Sequence, residues 1–209
     1  MSVAGVLLAG GLSRRMGGGD KCLRPLGGET ILARIIRCVA PQVGPLALNA
    51  NGDPSRFSAY GLPVLPDVVS GNAGPLAGVL TGMEWAAAHH PGCDWLASFP
   101  TDAPFMPNDL VSSMVAATER EGADMACAAS AGRTHPVAGL WPVRLRDALR
   151  EAMVTEEIRK VDRWTGRYRL AVVDFPVGAL DPFFNTNRPE DLEQAAAFLP
   201  GLRTGLEKG

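Results

Sequence analysis

No two cysteines in this chain stand close enough to make a zinc or redox motif. Cys22, Cys38, Cys93 and Cys127 are scattered and form no CxxC pair, which leaves free thiols buried in a reducing compartment as the reading. Long hydrophobic runs are missing too. The apolar stretch at residues 3–12 falls far short of the ~20 residues a spanning helix needs. Arg14 and Arg15 follow that stretch instead of preceding it, and no small-residue cleavage site accompanies it, so it does not read as a secretory leader. A cytoplasmic protein is expected. Neither sign of charge dominates: 20 Lys and Arg face 22 Asp and Glu, a net charge of −2, which argues against broad contact with nucleic acid or an anionic membrane. Repeats, low-complexity blocks and Pro/Ser-rich linkers are absent as well. With 46% hydrophobic and 20% charged residues, the composition is that of an ordinary globular protein. The economical reading is one domain over residues 1–209.

What is present is an alternation of strands and helices. VAGVLL (3–8) is a short continuous apolar run ending in glycines, as in a strand buried on both faces. Helical periodicity follows at 30–40, stopped by Pro41. PLALNAN (45–51) and LPVLPD (62–67) read as a second and a third strand. GPLAGVLTGMEWAAAHH reads as a helix with Pro75 in its first turn, and CDWLASFPTD (93–102) as a fourth strand. PNDLVSSMVAATER reads as a helix capped at Asn108 or Asp109. ADMACAAS and THPVAGLWP read as two strands around a turn Ala131-Gly132-Arg133, an antiparallel excursion. A helix at 143–153, a strand at 169–175 and a terminal helix from Pro189 complete the pattern. Such alternation predicts an α/β domain with a mainly parallel sheet.

Ligands of open α/β sheets bind outside the carboxyl ends of the strands. The first four predicted strands end in Gly10-Gly11, Asn49, Asp67 and Asp102, so glycines, an amide and two carboxylates converge on one rim. LLAGGLSRRMGGGDK, at the end of strand one, is neither GxxxxGK[ST] nor GxGxxG. Its glycines can still point several backbone N–H groups at one anion, with Arg15 and Lys21 adding positive charge beside phosphates. A loop of glycines with solvated arginines is the plainer alternative. In FPTDAPFMP, Asp102 is bracketed by Pro100 and Pro104; it is either a Mg2+ ligand shared with substrate phosphates or a turn stabiliser. In FFNTNRPEDL, Asn185 and Asn187 are two apart and can face one way in an extended segment, or cap the next helix. Arg133 and His135 of GRTHPVAGLWP could hold a second phosphate, although a lone histidine is more often structural. His89 and His90 mark a helix end and take no role.

The glycine loop, GPLAG at 74–78, FPTDAPFMP, RTHPVAGLWP and FFNTNRPEDL, in this order over nearly the whole chain, resemble the molybdenum cofactor guanylyltransferases. The resemblance implies a three-layer Rossmann-like nucleotidyltransferase fold. It also implies a reaction: GTP and molybdenum-bearing molybdopterin give the guanine dinucleotide form of the cofactor and pyrophosphate, with Mg2+ required. By residue match, GTP would be bound by Leu8, Ala9, Gly10, Gly11, Arg15, Lys21, Asn49, Asp67 and Asp102. Lys21 and Asp102 would be catalytic, and Asp102 the metal ligand. Arg133, His135, Asn185 and Asn187 are assigned to the molybdopterin side. The extra glycine in Gly17-Gly18-Gly19 and the choice between Asn49 and Asn51 shift the match by a residue or two. Transient contact with other cofactor-biosynthesis proteins or apo-molybdoenzymes is also implied.

Three rivals remain at this stage. A cytidylyltransferase for the same cofactor would carry Ala where Gly10 stands. A sugar-phosphate nucleotidyltransferase would share the first loop but not RTHPVAGLWP. A non-catalytic delivery protein could dispense with the metal carboxylate, whereas this chain keeps both Lys21 and Asp102.

Overall fold

The structure, a computed structural model, describes residues 2–10, 20–71 and 74–206. The chain runs β1 (Val3–Leu8), β2 (Pro25–Leu26), β3 (Glu29–Thr30), α1 (Ile31–Val39), β4 (Leu46–Asn49), β5 (Val64–Leu65), α2 (Pro75–His89) and β6 (Trp95–Pro100). It continues with α3 (Leu110–Glu121), β7 (Met125–Ser130), β8 (Arg133–Pro142), α4 (Arg146–Val154), α5 (Val161–Thr165), β9 (Leu170–Asp174) and α6 (Pro189–Leu206). Seven strands form one sheet in the order β5-β4-β1-β6-β8-β7-β9, and only β8 runs against the rest. The expected mainly parallel α/β architecture is therefore what the chain builds.

Alternation along β1 shows how the layers arise. Val3 and Leu7 pack in a core with α1, α3 and α6, whereas Ala4 and Val6 pack in a second core with α2, α4 and α5. Both faces of the strand are buried, which is why it reads as an unbroken apolar run. Helix α1 starts where predicted because the Thr30 hydroxyl accepts the Ala33 N–H at 3.1 Å, a side-chain cap on an otherwise unpaired donor. Helix α2 lies unusually close to the sheet. A Cβ at Gly82 would stand 2.9 Å from Val6 and Leu96 side-chain atoms, and one at Gly78 would press on Asn49 and Leu8.

Several sequence boundaries shift. The third strand shrinks to two residues, and the fourth stops at Pro100, two residues before Asp102. The hairpin turn is Ala131-Gly132 alone, with φ of 48° and 72°, the paired left-handed conformation that a two-residue turn needs; Arg133 is already in β8. The β2–β3 hairpin, a 3-10 stretch at Pro54–Tyr60 and α5 were not anticipated. Cys22, Cys93 and Cys127 are buried as expected, but Cys38 is only half-buried. Burial pushes the Cys22 thiol up to about 12 and the Cys127 thiol to about 11, so neither offers a thiolate at neutral pH. Among the described residues, no helix is long and apolar enough to cross a membrane.

Candidate active site

The site follows from strand register. Leu8 pairs with both Asn49 and Pro100, and Asn49 pairs with Leu65, so β1, β4, β5 and β6 all end in one row. Two residues past these ends stand Gly10, Asn51, Asp67 and Asp102. The rim is thus a line of backbone turns, one amide and two carboxylates, stitched by the Ala9 N–H to Asn49 O at 2.9 Å and the Ala50 N–H to Leu65 O at 3.0 Å. The Thr101 hydroxyl donates to Leu8 O at 2.9 Å and ties the β6 end to the β1 end.

One half of the rim gathers around Asp67. The buried Asn49 donates through Nδ2 to Leu65 O at 3.1 Å and to Asp67 Oδ1 at 2.9 Å. Asn51 donates to Asp67 Oδ2 at 2.7 Å, and its own Oδ1 accepts the Asp67 N–H at 2.9 Å. Asn49 and Asn51 thus each hold one oxygen of the same carboxylate. Arg56, missed in the sequence, donates to Asn51 O at 2.6 Å and to Asp53 O at 2.8 Å. It also pairs with Asp20 at 2.5 Å, so the residue that closes the glycine loop is fastened beside this half of the rim.

The other half gathers around Lys21. Its ammonium lies 3.2 Å from Asp102 Oδ2 and also bonds Asn187 Oδ1. Lys21 keeps 15% of its side chain exposed and Asp102 32%, so both are largely enclosed by the protein. Asp102 is fixed through its main chain: Thr186 donates to Asp102 O from its N–H at 2.8 Å and from its hydroxyl at 3.1 Å. Thr186 is fully buried between the exposed Asn185 and Asn187. Asn187 reaches the Lys21–Asp102 pair, and its N–H donates to Asp191 Oδ2 at 2.8 Å at the start of α6. Asn187 therefore joins the lysine–carboxylate cluster as well as the helix start.

His135 and Arg133 stand on β8, joined to the 181–187 segment. His135 stacks on Phe183 with ring centroids 4.5 Å apart, and its Nε2 is 2.7 Å from the Ser130 hydroxyl. Burial lowers its pKa below the ordinary histidine value; nearby Asp181 opposes that shift and Arg133 adds to it. At neutral pH such a ring adds no positive charge of its own. Gly11 and Arg15 lie outside the described residues. Among the described residues, no group of three or more His, Cys, Asp or Glu forms a metal cage.

A family model for the MobA-like NTP transferase domain matches residues 5–170, and the molybdenum cofactor guanylyltransferase of Bradyrhizobium sp. is 58% identical over 93% of this chain and 92% of its own. The chain belongs to the molybdenum cofactor guanylyltransferase family. Among solved structures, the molybdopterin-guanine dinucleotide biosynthesis protein A of Archaeoglobus fulgidus shares the fold at a TM-score of 0.72 and 22% identity, over 95% of this chain and 99% of that one. A Mycobacterium tuberculosis protein in complex with manganese does so at a TM-score of 0.66 and 18% identity, over 94% of this chain and 99% of that one. The five segments on which the family resemblance rested span the region between β1 and the start of α6, and the family model covers most of it.

Asn49 and Asp67 give the first prediction. Asn49→Ala and Asp67→Ala should raise the KM for GTP roughly tenfold, about the loss of one good hydrogen bond, with a smaller effect on kcat. Steady-state kinetics with GTP varied reads this directly, and an unchanged KM would make both residues purely structural.

Proposed function

We propose that this rim transfers GMP from GTP to molybdenum-bearing molybdopterin, giving the guanine dinucleotide cofactor and pyrophosphate. The observation that carries the reading is the Lys21–Asp102–Asn187 cluster, with Asp102 two residues past the end of β6, which pairs with the end of β1. A terminal phosphate oxygen of the pterin forms the new P–O bond to the α-phosphorus of GTP, and the bond from that phosphorus to the bridging oxygen breaks. Negative charge builds on the leaving pyrophosphate, and Lys21 sits where an ammonium can meet it. The nucleophilic phosphate is already ionised at neutral pH, so the chain needs to supply no general base, only position. Backbone N–H groups of the loop that follows Gly10 would hold the β- and γ-phosphates, with Arg15 beside them.

The donor set of Asp102 fits a divalent cation such as Mg2+. Such ions take one or two carboxylate oxygens and complete their shell with substrate phosphates and water. Lys21 engages only Oδ2 of a carboxylate that is one third exposed, and a single carboxylate without a protein cage is the pattern of an ion shared with its substrate. What the cation supplies when bound is neutralisation of phosphate charge. The protein's own part is to hold Asp102 rigid through Thr186.

Asn49, Asp67 and the space at Gly10 are assigned to the nucleoside. A glycine at position 10, with no Cβ, would let a purine edge approach the backbone, which would favour GTP over CTP. The test is nucleotide choice: with molybdopterin and Mg2+, GTP should be consumed and CTP spared, and the reaction should stop when a chelator strips the metal. Consumption of CTP in preference to GTP would turn the assignment to the cytidylyltransferase, and neither being consumed would favour the delivery protein.

A further inference from the structure

The proposed reaction leaves a partly buried polar cluster of Ser130, His135 and Asp181 unused. Ser130, the last residue of β7, is fully buried, and its hydroxyl lies 2.7 Å from Asp181 Oδ1 and 2.7 Å from His135 Nε2. Serine, histidine and aspartate together suggest a nucleophile, but the order is wrong for one. In a hydrolytic triad the carboxylate orients the histidine and the hydroxyl faces the substrate. Here the carboxylate bonds the serine and the hydroxyl is sealed in.

The proton count decides what the cluster does. A hydroxyl has a single proton, and Ser130 gives it to Asp181. The contact with Nε2 is then a hydrogen bond only if Nε2 carries hydrogen and donates to the serine oxygen. The ring is held neutral by its burial, against the pull of Asp181 and with the help of Arg133, the charged groups that act on it. Its one proton is therefore on Nε2, and Nδ1 keeps a bare lone pair. Among the described residues, Nδ1 takes no hydrogen bond.

The ring is also fixed in place. It stacks on Phe183 at an interplanar angle of 21°, and Phe183 meets Phe175 edge-on at 5.7 Å. Asp181 Oδ1 accepts the Phe183 N–H at 2.8 Å as well, so one carboxylate sets both the tautomer and the stacking partner. A register break adds to this: Cys127 lies opposite Gly139 but Ala128 lies opposite His135, which leaves residues 136–138 bulged out of the β7 ladder. Bulges of this kind re-aim side chains next to sites, and Pro136 has no N–H to lose there.

We propose that Ser130 and Asp181 are positioning residues that lock His135 as its Nε2–H tautomer, so that Nδ1 accepts a hydrogen bond from an N–H or O–H donor of the second substrate. This rests on the proposed transfer to molybdopterin and on the assignment of His135 to that substrate; Phe183 under the ring is four residues before Asn187, which touches Lys21. An ionised phosphate has no hydrogen to give to Nδ1, whereas the pterin ring carries N–H and amine donors. The histidine thus reads the heterocycle and leaves phosphate to the cations.

The test is a two-bond 1H–15N correlation spectrum of the full chain with and without molybdopterin. The wild type should show His135 Nε2 protonated and Nδ1 unprotonated, and molybdopterin should shift the Nδ1 resonance. In Ser130→Ala the tautomers should mix, and the KM for molybdopterin should rise about three- to tenfold, the range of one neutral hydrogen bond, while the KM for GTP stays in place. A protonated Nδ1 in the wild type, or an Nδ1 resonance indifferent to molybdopterin, overturns the proposal. The spectra need no turnover, so a chain that binds molybdopterin in this way yet forms no dinucleotide would refute the proposed activity and leave the lock standing.

Discussion

Lys21→Ala and Asp102→Ala should each lower kcat by roughly 10²–10³, the range seen when one preorganised electrostatic contact to developing charge is removed. Their folds should survive with melting points lowered by a few degrees. The two side chains are 3.2 Å apart and 15% and 32% exposed, and loss of such a partly enclosed pair costs on the order of 1 kcal/mol. Asp102→Ala also spares the main-chain carbonyl that Thr186 holds, so the turn stays tied to the 185–187 segment. The two variants should part in one respect: Asp102→Ala should respond poorly to added Mg2+, while Lys21→Ala should keep its dependence on the metal. Thermal melts beside single-turnover rates check both halves. Near-normal dinucleotide formation by either variant would remove the mechanism, and loss of the fold would make the pair a structural one.

The second large effect is expected at a residue with no polar atom to offer. Gly78→Ala would place its Cβ over Asn49 Oδ1 and 2.6 Å from Leu8 Cδ2. Backbone of α2 cannot back away cheaply, because Leu76, Val79 and Leu80 on either side are fully buried. Asn49 must swing, and its bond to Asp67 goes with it. Overpacking of this kind costs about 1–3 kcal/mol, and the KM for GTP should rise at least as far as in Asn49→Ala. Gly82→Ala is the control. The atoms nearest its Cβ are on Val6 and Leu96, at 2.9 Å, so it should lose comparable stability with the KM for GTP unchanged. If both glycine variants shift the KM alike, α2 acts through general strain and not through Asn49.

Why some of this was legible in the sequence and some was not has a physical basis. The rim was legible because each buried parallel strand is a continuous apolar run that breaks at a glycine, an amide or an acid. The break marks the point where the chain leaves the sheet, and a shared strand direction puts those points on one edge. Register then brings Leu8, Asn49, Leu65 and Pro100 into one row. Contacts across long separations left no such trace. Lys21 meets Asn187 over 166 residues and Ser130 meets Asp181 over 51, and no periodicity links either pair. Thr186 was recoverable in principle: if Asn185 and Asn187 face out of an extended segment, the residue between them faces in. Arg56 sits in a 3-10 stretch with no strand or helix pattern around it. The β8 bulge was hidden because Pro136-Val137-Ala138 looks like any other strand until its partner's register is known. His135 shows the limit of reading residue types alone: its charge state depends on burial and on two partners, one before it in the chain and one far after.

The roles given to Lys21, Asp102, Asn49 and Asp67 depend on whether the rim performs nucleotidyl transfer. The most direct measurement follows both products of one reaction: purified protein, GTP, molybdenum-bearing molybdopterin and Mg2+, with released pyrophosphate quantified and the pterin product weighed by mass spectrometry. The account predicts one pyrophosphate released for each pterin that gains the mass of one GMP, with neither product formed when molybdopterin is left out. Pyrophosphate without the adduct, or an unchanged pterin bound tightly with GTP intact, would contradict it.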